Sequence, residues 1–401
     1  MANVLSQTNE WSELVQAGPR TPMGMLLRKF WQPVAVSSEL KVGKAMPIRI
    51  MNEDLTLYRG ESGKPHIVAD RCAHRLTLLY TGWVEQECIR CRYHGWKYDG
   101  GGQCVEMPAE DATFASKVKI LSYPAREYAG LVFAFMGQGE PPEFAHKAEI
   151  DRNYGIKWAL SMIWPCNWFQ RIENSMDAVH VSFVHQESRF GQSLSYTVPS
   201  LSYEETEWGI RQIATRAANN VRISEFNWPN CNHIVTPTQF KPQGETKLFP
   251  WTDLFNWFVP VDDGHTALFS VRSSPIRGDV AQESQAWLFS RDKYNPAEYD
   301  EELFKGVMPD NDAGQAGNAL VNAQDYIVQV GQGAIVDRSQ ERLGKSDAGV
   351  ILLRKIFHRE LDAIKKGLPG KAWKPRKGFA RLPVPPNVPA SPDPETAMVF
   401  G

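Results

Sequence analysis

The sequence predicts an α+β protein: an all-β unit at the N-terminus, then an α+β unit built on an antiparallel sheet. Three observations carry this. Short alternating segments (Ile48 to Tyr58, Trp96 to Tyr98, Leu131 to Phe135) precede residue 140, with Gly100-Gly101-Gly102 as a hairpin turn. Residues 188–300 are rich in Thr, aromatic residues and alternating runs (Leu201 to Tyr203, Ile210 to Ile213, Leu254 to Val259, Thr266 to Val271), the pattern of antiparallel strands. Two stretches have helical spacing. In one, Phe169, Ile172, Met176 and Val179 recur at three and four. In the other, Val350, Leu353, Phe357, Leu361 and Ile364 share a face, with Gly367 as a C-terminal cap. The expected organisation is residues 1–150 with an all-β core at about 30–140, residues 151–367, and a tail at 368–401. Eight of the 27 prolines fall in those last 34 residues, so the tail is expected to be extended or disordered.

Composition narrows the function. The 401 residues carry 44 basic and 46 acidic side chains, a net −2, with no long Lys/Arg block, which argues against nucleic-acid binding. No apolar run reaches the ~20 residues that span a bilayer. The N-terminus lacks the basic and apolar regions of a secretory signal, so a cytoplasmic location is expected. Six cysteines are too few for a disulfide scaffold; clustered cysteines in such a chain point to metal or redox chemistry.

Four of the six, Cys72, Cys88, Cys91 and Cys104, lie between residues 72 and 104, with His74 and His94 among them. Cys88-x-x-Cys91 could belong to a structural zinc site. Alternatively, Cys72-Ala-His74 and Cys91-Arg-Tyr-His94 are two short loops, each offering a thiolate and an imidazole. That suits a Rieske [2Fe–2S] centre, in which two Cys hold one iron and two His the other. The flanking strand-like segments, and Gly95 after His94, favour the second reading. Cys88 and Cys104 are then small buried thiols.

A second constellation follows. Asp177 and His180 are three apart on a segment with helical pattern and share a face. His180 and His185 are five apart, so both can meet one metal only if the helix ends or bulges between them. Two His and one carboxylate with open positions form the facial triad of non-haem Fe(II) oxygenases.

These motifs, with Glu173-Asn174-x-x-Asp177-x-x-His180-x-x-x-x-His185, resemble those of Rieske non-haem iron oxygenases, the catalytic subunits of aromatic-ring-hydroxylating enzymes. The chain is most similar to their phthalate dioxygenase-like group, over about residues 18–360. Gly24 to Val34, Trp257 to Asp263, Gln324-Asp325 and Gln332 to Arg338 match it as well. One departure is Leu76, where the family usually has Gly after the His-Arg of the first loop.

The resemblance implies an all-β Rieske [2Fe–2S] domain followed by an α+β catalytic domain of helix-grip type. It implies that Cys72 and Cys91 bind one cluster iron, His74 and His94 the other, and that His180 and His185 bind a mononuclear Fe(II). Asp325 is the expected third ligand, at the start of an apolar helical stretch (Ile327, Val328, Val330). Asp337 is the runner-up, although an ion pair with Arg338 is its more expected role. Asp177 is expected to link the two metal sites across a subunit boundary, which demands a homotrimer or stacked hexamer. The chain has no dinucleotide-binding Gly motif and no plant-type ferredoxin run, so a separate NAD(P)H-dependent reductase of flavin or ferredoxin type should supply electrons. The expected activity is hydroxylation of a small aromatic substrate by O2, with an aromatic carboxylate the leading class. Oxidative O- or N-demethylation is the alternative, and a bare Rieske electron carrier the remote one. Arg211, Arg216, Arg222 and Lys247 are candidate partners for a substrate carboxylate. Trp228, Phe240, Phe249, Trp251, Phe255 and Trp257, with Phe226, could line a pocket, although ordinary sheet core is the more expected role for most.

Overall fold

The computed structural model describes residues 11–188, 197–217, 220–236, 252–275, 282, 294–309 and 319–378. The N-terminal unit is all β, in three small antiparallel sheets. One pairs β1 (Trp31–Val36) with β11 (Leu131–Phe135) and β10 (Ala125–Tyr128). The second runs β2 (Ala45–Ile50), β3 (Glu53–Arg59), β4 (Pro65–Ala69), β9 (Ser122–Tyr123). The third runs β5 (Trp83–Glu85), β6 (Cys88–Arg90), β7 (Lys97–Tyr98), β8 (Cys104–Glu106). The expected strand from Ile48 to Tyr58 is two strands. The chain reverses at Met51 and Asn52, both with left-handed backbone (φ 47° and 63°), a turn that carries no Gly or Pro to announce it. The glycine turn lies between β7 and β8, where Gly102 has φ 79°.

The C-terminal unit is a seven-stranded antiparallel sheet in the order β12-β18-β17-β16-β15-β14-β13. Its strands are β12 (Ile156–Trp164), β13 (Ser200–Glu205), β14 (Gly209–Ala217), β15 (Asn220–Asn227), β16 (Cys231–Thr236), β17 (Thr252–Pro260) and β18 (Thr266–Ser274). The four runs expected as strands fall in β13, β14, β17 and β18. Central β17 is buried on both faces, apart from Asn256, because β1 and β11 of the N-terminal unit cover one face and helices the other.

Helix α1 (Pro22–Arg28) precedes the first strand; α2 (Trp168–Ser175) and α3 (His180–Val184) follow β12; α4 (Ala319–Val330) and α5 (Ala348–Lys365) close the unit. Asn167 starts α2: its Oδ1 accepts from the Phe169 amide at 2.9 Å, and its Nδ2 donates to the Val15 and Asp263 carbonyls. Trp168 and Phe169 then meet Phe357 of α5 edge-on, with centroids 5.7 and 5.3 Å away. All three are fully buried, each contributing roughly 2–3 kcal/mol of transfer free energy. Gly367, in the left-handed region at φ 64°, follows α5 as expected. The start of the tail packs on its own chain: Trp373 stacks on Trp228 at 4.7 Å, and Arg376 pairs with Glu149 at 2.6 Å. Residues 379–401 lie outside the described residues.

Two candidate metal centres

The loop after β4 and the loop joining β6 to β7 have the same hydrogen-bond design. In the first, the Cys72 amide donates to the Thr77 carbonyl at 2.9 Å and the Leu76 amide to the Cys72 carbonyl at 3.0 Å. In the second, the Cys91 amide donates to the Trp96 carbonyl at 2.8 Å and the Gly95 amide to the Cys91 carbonyl at 3.1 Å. The fifth residue of each loop is left-handed, Leu76 at φ 60° and Gly95 at φ 75°. The Leu at that place therefore does not open the turn.

The four side chains meet in two pairs. Cys72 and Cys91 are buried, and their thiols lie close enough to interact; burial is the main reason the Cys72 thiol titrates above its ordinary value. His74 and His94 lie side by side, centroids 4.5 Å apart, towards the surface. Among the described residues these four do not surround a single ion, unlike the trio described below. A cluster of two irons needs that separation, and a single zinc does not. The Nδ1 atom of His94 is buried without a partner, an orphan that a metal would satisfy. Trp96 stacks on His74 at 4.6 Å, and Tyr98 places its hydroxyl 3.2 Å from Cys72 Sγ. Tyr98 is absent from the sequence-derived site, since nothing local marks a residue seven positions past Cys91 as a sulfur neighbour. Cys104 is buried as expected, whereas Cys88, on β6, is partly exposed.

The second centre forms where α2 ends. The helix stops at Met176, ahead of both histidines, and the short α3 begins at His180 and ends at Val184. His185 therefore lies just past a helix end, as its spacing from His180 requires. Across from them, α4 presents Asp325 from its interior, not from its first turn as the sequence suggested. Asp325 Oδ1 is 3.8 Å from His180 Nε2 and 3.6 Å from His185 Nε2. These distances are too long for hydrogen bonds, and Asp325 Oδ1 is buried without a partner. Three ligand-type atoms gathered in this way fit one metal ion.

Neighbours fix the ring orientations. Gln324 Oε1 is 3.2 Å from His185 Nδ1, leaving Nε2 to face the centre. Asp177 Oδ2 faces His180 Nδ1 at 3.6 Å, an electrostatic contact just beyond hydrogen-bond reach, while its Oδ1 accepts from the Val179 and His180 amides. Burial opposes charging His180, but Asp177 and Asp325 together outweigh it and hold its pKa above the usual value. His185 goes the other way, pushed down chiefly by burial. Asp337 takes no part: it caps a turn through Ser339 and Gln340, and Arg338 pairs with Glu173 at 2.7 Å instead of with its neighbour.

Of the four candidate cations, Arg211 pairs with Glu225 at 3.2 Å, and Arg216 holds the Ala178 carbonyl at 2.9 Å, between Asp177 and His180. Arg222 is different. It interacts electrostatically with Asp325 and His180, and no carboxylate pairs with it among the described residues. Burial lowers its pKa to about 10. Lys247, Phe240, Phe249 and Trp251 lie outside the described residues. Phe226, Trp228, Phe255 and Trp257 belong to the main core, as expected for sheet residues. A further trio, Glu149, His233 and Asp253, also gathers ligand-type atoms. There Arg376 and Arg152 already pair with the carboxylates, at 2.6 and 2.9 Å, so it reads as a buried ion-pair network.

Fold and sites thus define an iron–sulfur protein with a second, single-ion centre. Known proteins agree. The Rieske [2Fe-2S] domain family matches residues 30–124. The chain is 31% identical over 371 residues to the 5,5'-dehydrodivanillate O-demethylase oxygenase subunit of Sphingobium sp., covering 90% of this chain and 81% of that one. It is 32% identical over 383 residues to the phthalate 4,5-dioxygenase oxygenase subunit of Pseudomonas putida, covering 86% and 84%. Its fold matches the terminal oxygenase of carbazole 1,9a-dioxygenase from Novosphingobium sp. KA1, with a TM-score of 0.63 at 20% identity over 88% of this chain and 97% of that one. The chain belongs to the Rieske non-haem iron oxygenases, as an oxygenase subunit. It is an oxidoreductase that incorporates oxygen, and its cofactors are a Rieske [2Fe–2S] cluster and a mononuclear iron. No helix among the described residues is long and apolar enough to cross a membrane.

Proposed function

We propose that this subunit hydroxylates a small aromatic carboxylate, with Cys72, His74, Cys91 and His94 holding the cluster and His180, His185 and Asp325 the mononuclear iron. The observation that carries this is the convergence of the His180 and His185 Nε2 atoms on the unpartnered Asp325 Oδ1, with unpaired Arg222 acting on the same carboxylate. When bound, the cluster supplies single electrons and the mononuclear iron supplies O2 activation. The protein's part is positional. Gln324 and Asp177 set the two ring orientations, Arg216 holds the backbone between Asp177 and His180, and Arg222 anchors the substrate carboxylate. Asp177, on the rim of the site with part of its carboxyl exposed, is the residue through which a neighbouring subunit's cluster would be linked. That link requires a homotrimer, alone or stacked as a hexamer. Electrons come from a separate, NAD(P)H-dependent reductase of flavin or ferredoxin type, and the enzyme works in the cytoplasm. We divide the chain into residues 1–150 with the Rieske domain, 151–367 with the catalytic domain, and the tail at 368–401.

A relative named as an O-demethylase oxygenase subunit supports a second reading, oxidative demethylation of an aromatic ether at the same iron. Counting separates the site assignment from its rivals. Anaerobically purified protein should hold about three irons and two sulfides per chain, and Asp325→Ala about two and two. Equal counts in both proteins would remove Asp325 from the site. Arg222→Met should raise KM for benzoate-type substrates at least tenfold while leaving KM for a neutral aromatic ether unmoved. If the benzoate KM stays put, the carboxylate reading fails.

A further inference from the structure

A cavity lies on the side of the catalytic sheet away from Arg222. Side chains alternate along β15, so Arg222 and Asn227 point to opposite faces. Asn227 is paired with Cys231 and Cys231 with Trp257, and these three border a cavity of about 230 Å3. Trp31, Trp208, Trp228 and Trp373 line it too, as does Lys147. An engineered apolar cavity of about 150 Å3 takes benzene, so this one has room for one substituted ring.

Its buried polar groups are mostly donors, and the carboxylate in its lining, Glu143, is solvent-exposed. Lys147 is only 6% exposed, and its Nζ donates to the neutral Asn227 Oδ1 at 2.8 Å. No carboxylate lies within ion-pair distance of it among the described residues. The nearby carboxylates are committed elsewhere: Glu149 and Glu225 to Arg376 at 2.6 and 3.0 Å, and Asp253 to Arg152 at 2.9 Å. The indole N–H groups of Trp208, Trp228 and Trp373 and the amide nitrogen of Asn227 are buried with no partner. Each such orphan costs on the order of 1–3 kcal/mol unless something accepts from it. The buried lining therefore offers aromatic faces, several unused donors and a buried ammonium, while the Oε2 atoms of Glu149 and Glu225 belong to residues outside the lining.

We propose that this cavity is a binding site for a one-ring aromatic carboxylate, distinct from the iron centre, with the carboxylate on Lys147 and the ring between the tryptophans. An inorganic anion would meet the donors but leave the aromatic walls empty. A neutral ring would leave the ammonium unpaired.

The test is equilibrium dialysis of the iron-loaded enzyme against radiolabelled benzoate, with Lys147→Met and Arg222→Met alongside. The expected result is about two benzoates per chain in the unaltered enzyme, one in each variant, and at least tenfold weaker binding of benzamide at the site that Arg222→Met retains. Because the two variants report on different sites, the readings fail separately. A single benzoate lost only with Lys147→Met upholds the cavity and discards the Arg222 anchor. A single benzoate lost only with Arg222→Met, or an unchanged count in Lys147→Met, overturns the cavity. Should Lys147→Met not fold, the unaltered enzyme still decides. Crystals grown with 4-bromobenzoate should show a bromine anomalous peak beside Trp228, and an empty cavity there overturns the proposal.

Discussion

Glu173 is the residue whose loss should cost the most stability for the smallest change in shape. Its carboxylate receives Arg338 Nη2 at 2.7 Å and Arg354 Nε at 2.5 Å, and all three side chains are at least nine-tenths buried. Arg354 has a second acceptor, Glu341, at 2.7 Å; Arg338 has no other carboxylate among the described residues and leans on the Phe169 ring at 5.2 Å. In Glu173→Gln, Arg338 becomes a stranded buried cation. Stranding one partner of a buried pair costs about 3–5 kcal/mol. The glutamine oxygen can still accept one hydrogen bond, returning about 1 kcal/mol and leaving a net loss of about 2–4 kcal/mol. That is a large share of the 5–15 kcal/mol typical of folded proteins. The assay is urea unfolding of the iron-loaded protein, followed both by far-ultraviolet circular dichroism and by the visible dichroism of the cluster, because a two-domain chain need not unfold in one step. Adding Arg338→Met to Glu173→Gln should recover part of the loss, since it removes the stranded charge. A loss under about 1 kcal/mol for Glu173→Gln, or a double variant less stable than that single variant, would refute the reasoning.

Three further perturbations test other parts of the structure. Asp177→Asn should keep both metals by iron and sulfide count yet cut product formation more than tenfold with the native reductase; normal turnover would end the linking role given to Asp177. Tyr98→Phe removes the hydroxyl at Cys72 Sγ, a contact that favours the more electron-rich reduced cluster. If that preference is about 1 kcal/mol, the midpoint potential should fall by roughly 40 mV in a spectroelectrochemical titration, and an unmoved potential would show the contact to be packing alone. Hydrogen bonds from Arg90 and Lys97 hold the Glu85 carboxyl at about 2, down from 4.5, so its stabilising effect is complete above about pH 4.5 and is lost as pH falls towards 2. Its side chain is 38% exposed, so the effect is modest and salt-sensitive; Glu85→Gln should flatten the acid limb of cluster loss between those pH values, and an identical limb would contradict it.

What could be read from the sequence divides by distance along the chain. Cys72, His74, Cys91 and His94 fall in two short loops, and His180 and His185 in one segment, so local spacing exposes them. Asp325 lies 140 residues beyond His185; only the family resemblance singled it out, and the sheet and α4 bring it to the histidines. Gln324 was visible as its neighbour, but contact with His185 Nδ1 depends on the rotation of α4, which no spacing states. The three candidate arginines and the one lysine looked alike in sequence. Strand alternation and the placement of Glu225 separate Arg211, which is ion-paired, from Arg222, which has no ion pair among the described residues. Asp337 and Arg338 looked like an ion pair because they are adjacent, yet the pairing that exists spans 165 residues, from Arg338 to Glu173. The turn at Met51 and Asn52 was missed for a local reason: residues with side chains took left-handed backbone where Gly is the usual marker.

The same exception occurs at Leu76, and its comparison with Gly95 shows why it is tolerated in one cluster loop. Both positions are left-handed, and both donate to a cysteine carbonyl, at 3.0 and 3.1 Å. At Gly95 two demands coincide. A Cβ there would stand 3.0 Å from Pro108 Cγ, and its carbonyl must accept from Arg90 Nη1 at 2.8 Å. At Leu76 only the backbone demand exists, worth about 1–2 kcal/mol for an L-residue. Its side chain is 62% exposed, and its carbonyl accepts from Arg71 Nη1 at 3.0 Å. The first loop thus bears a conformational cost without a steric one, and the Cys72 hydrogen bonds that place the thiolate are kept. A side chain at Gly95 would meet both a conformational cost and a tight contact, whereas at Leu76 the conformational cost acts alone. This is why the departure at Leu76 leaves Cys72 and His74 in place beside Cys91 and His94.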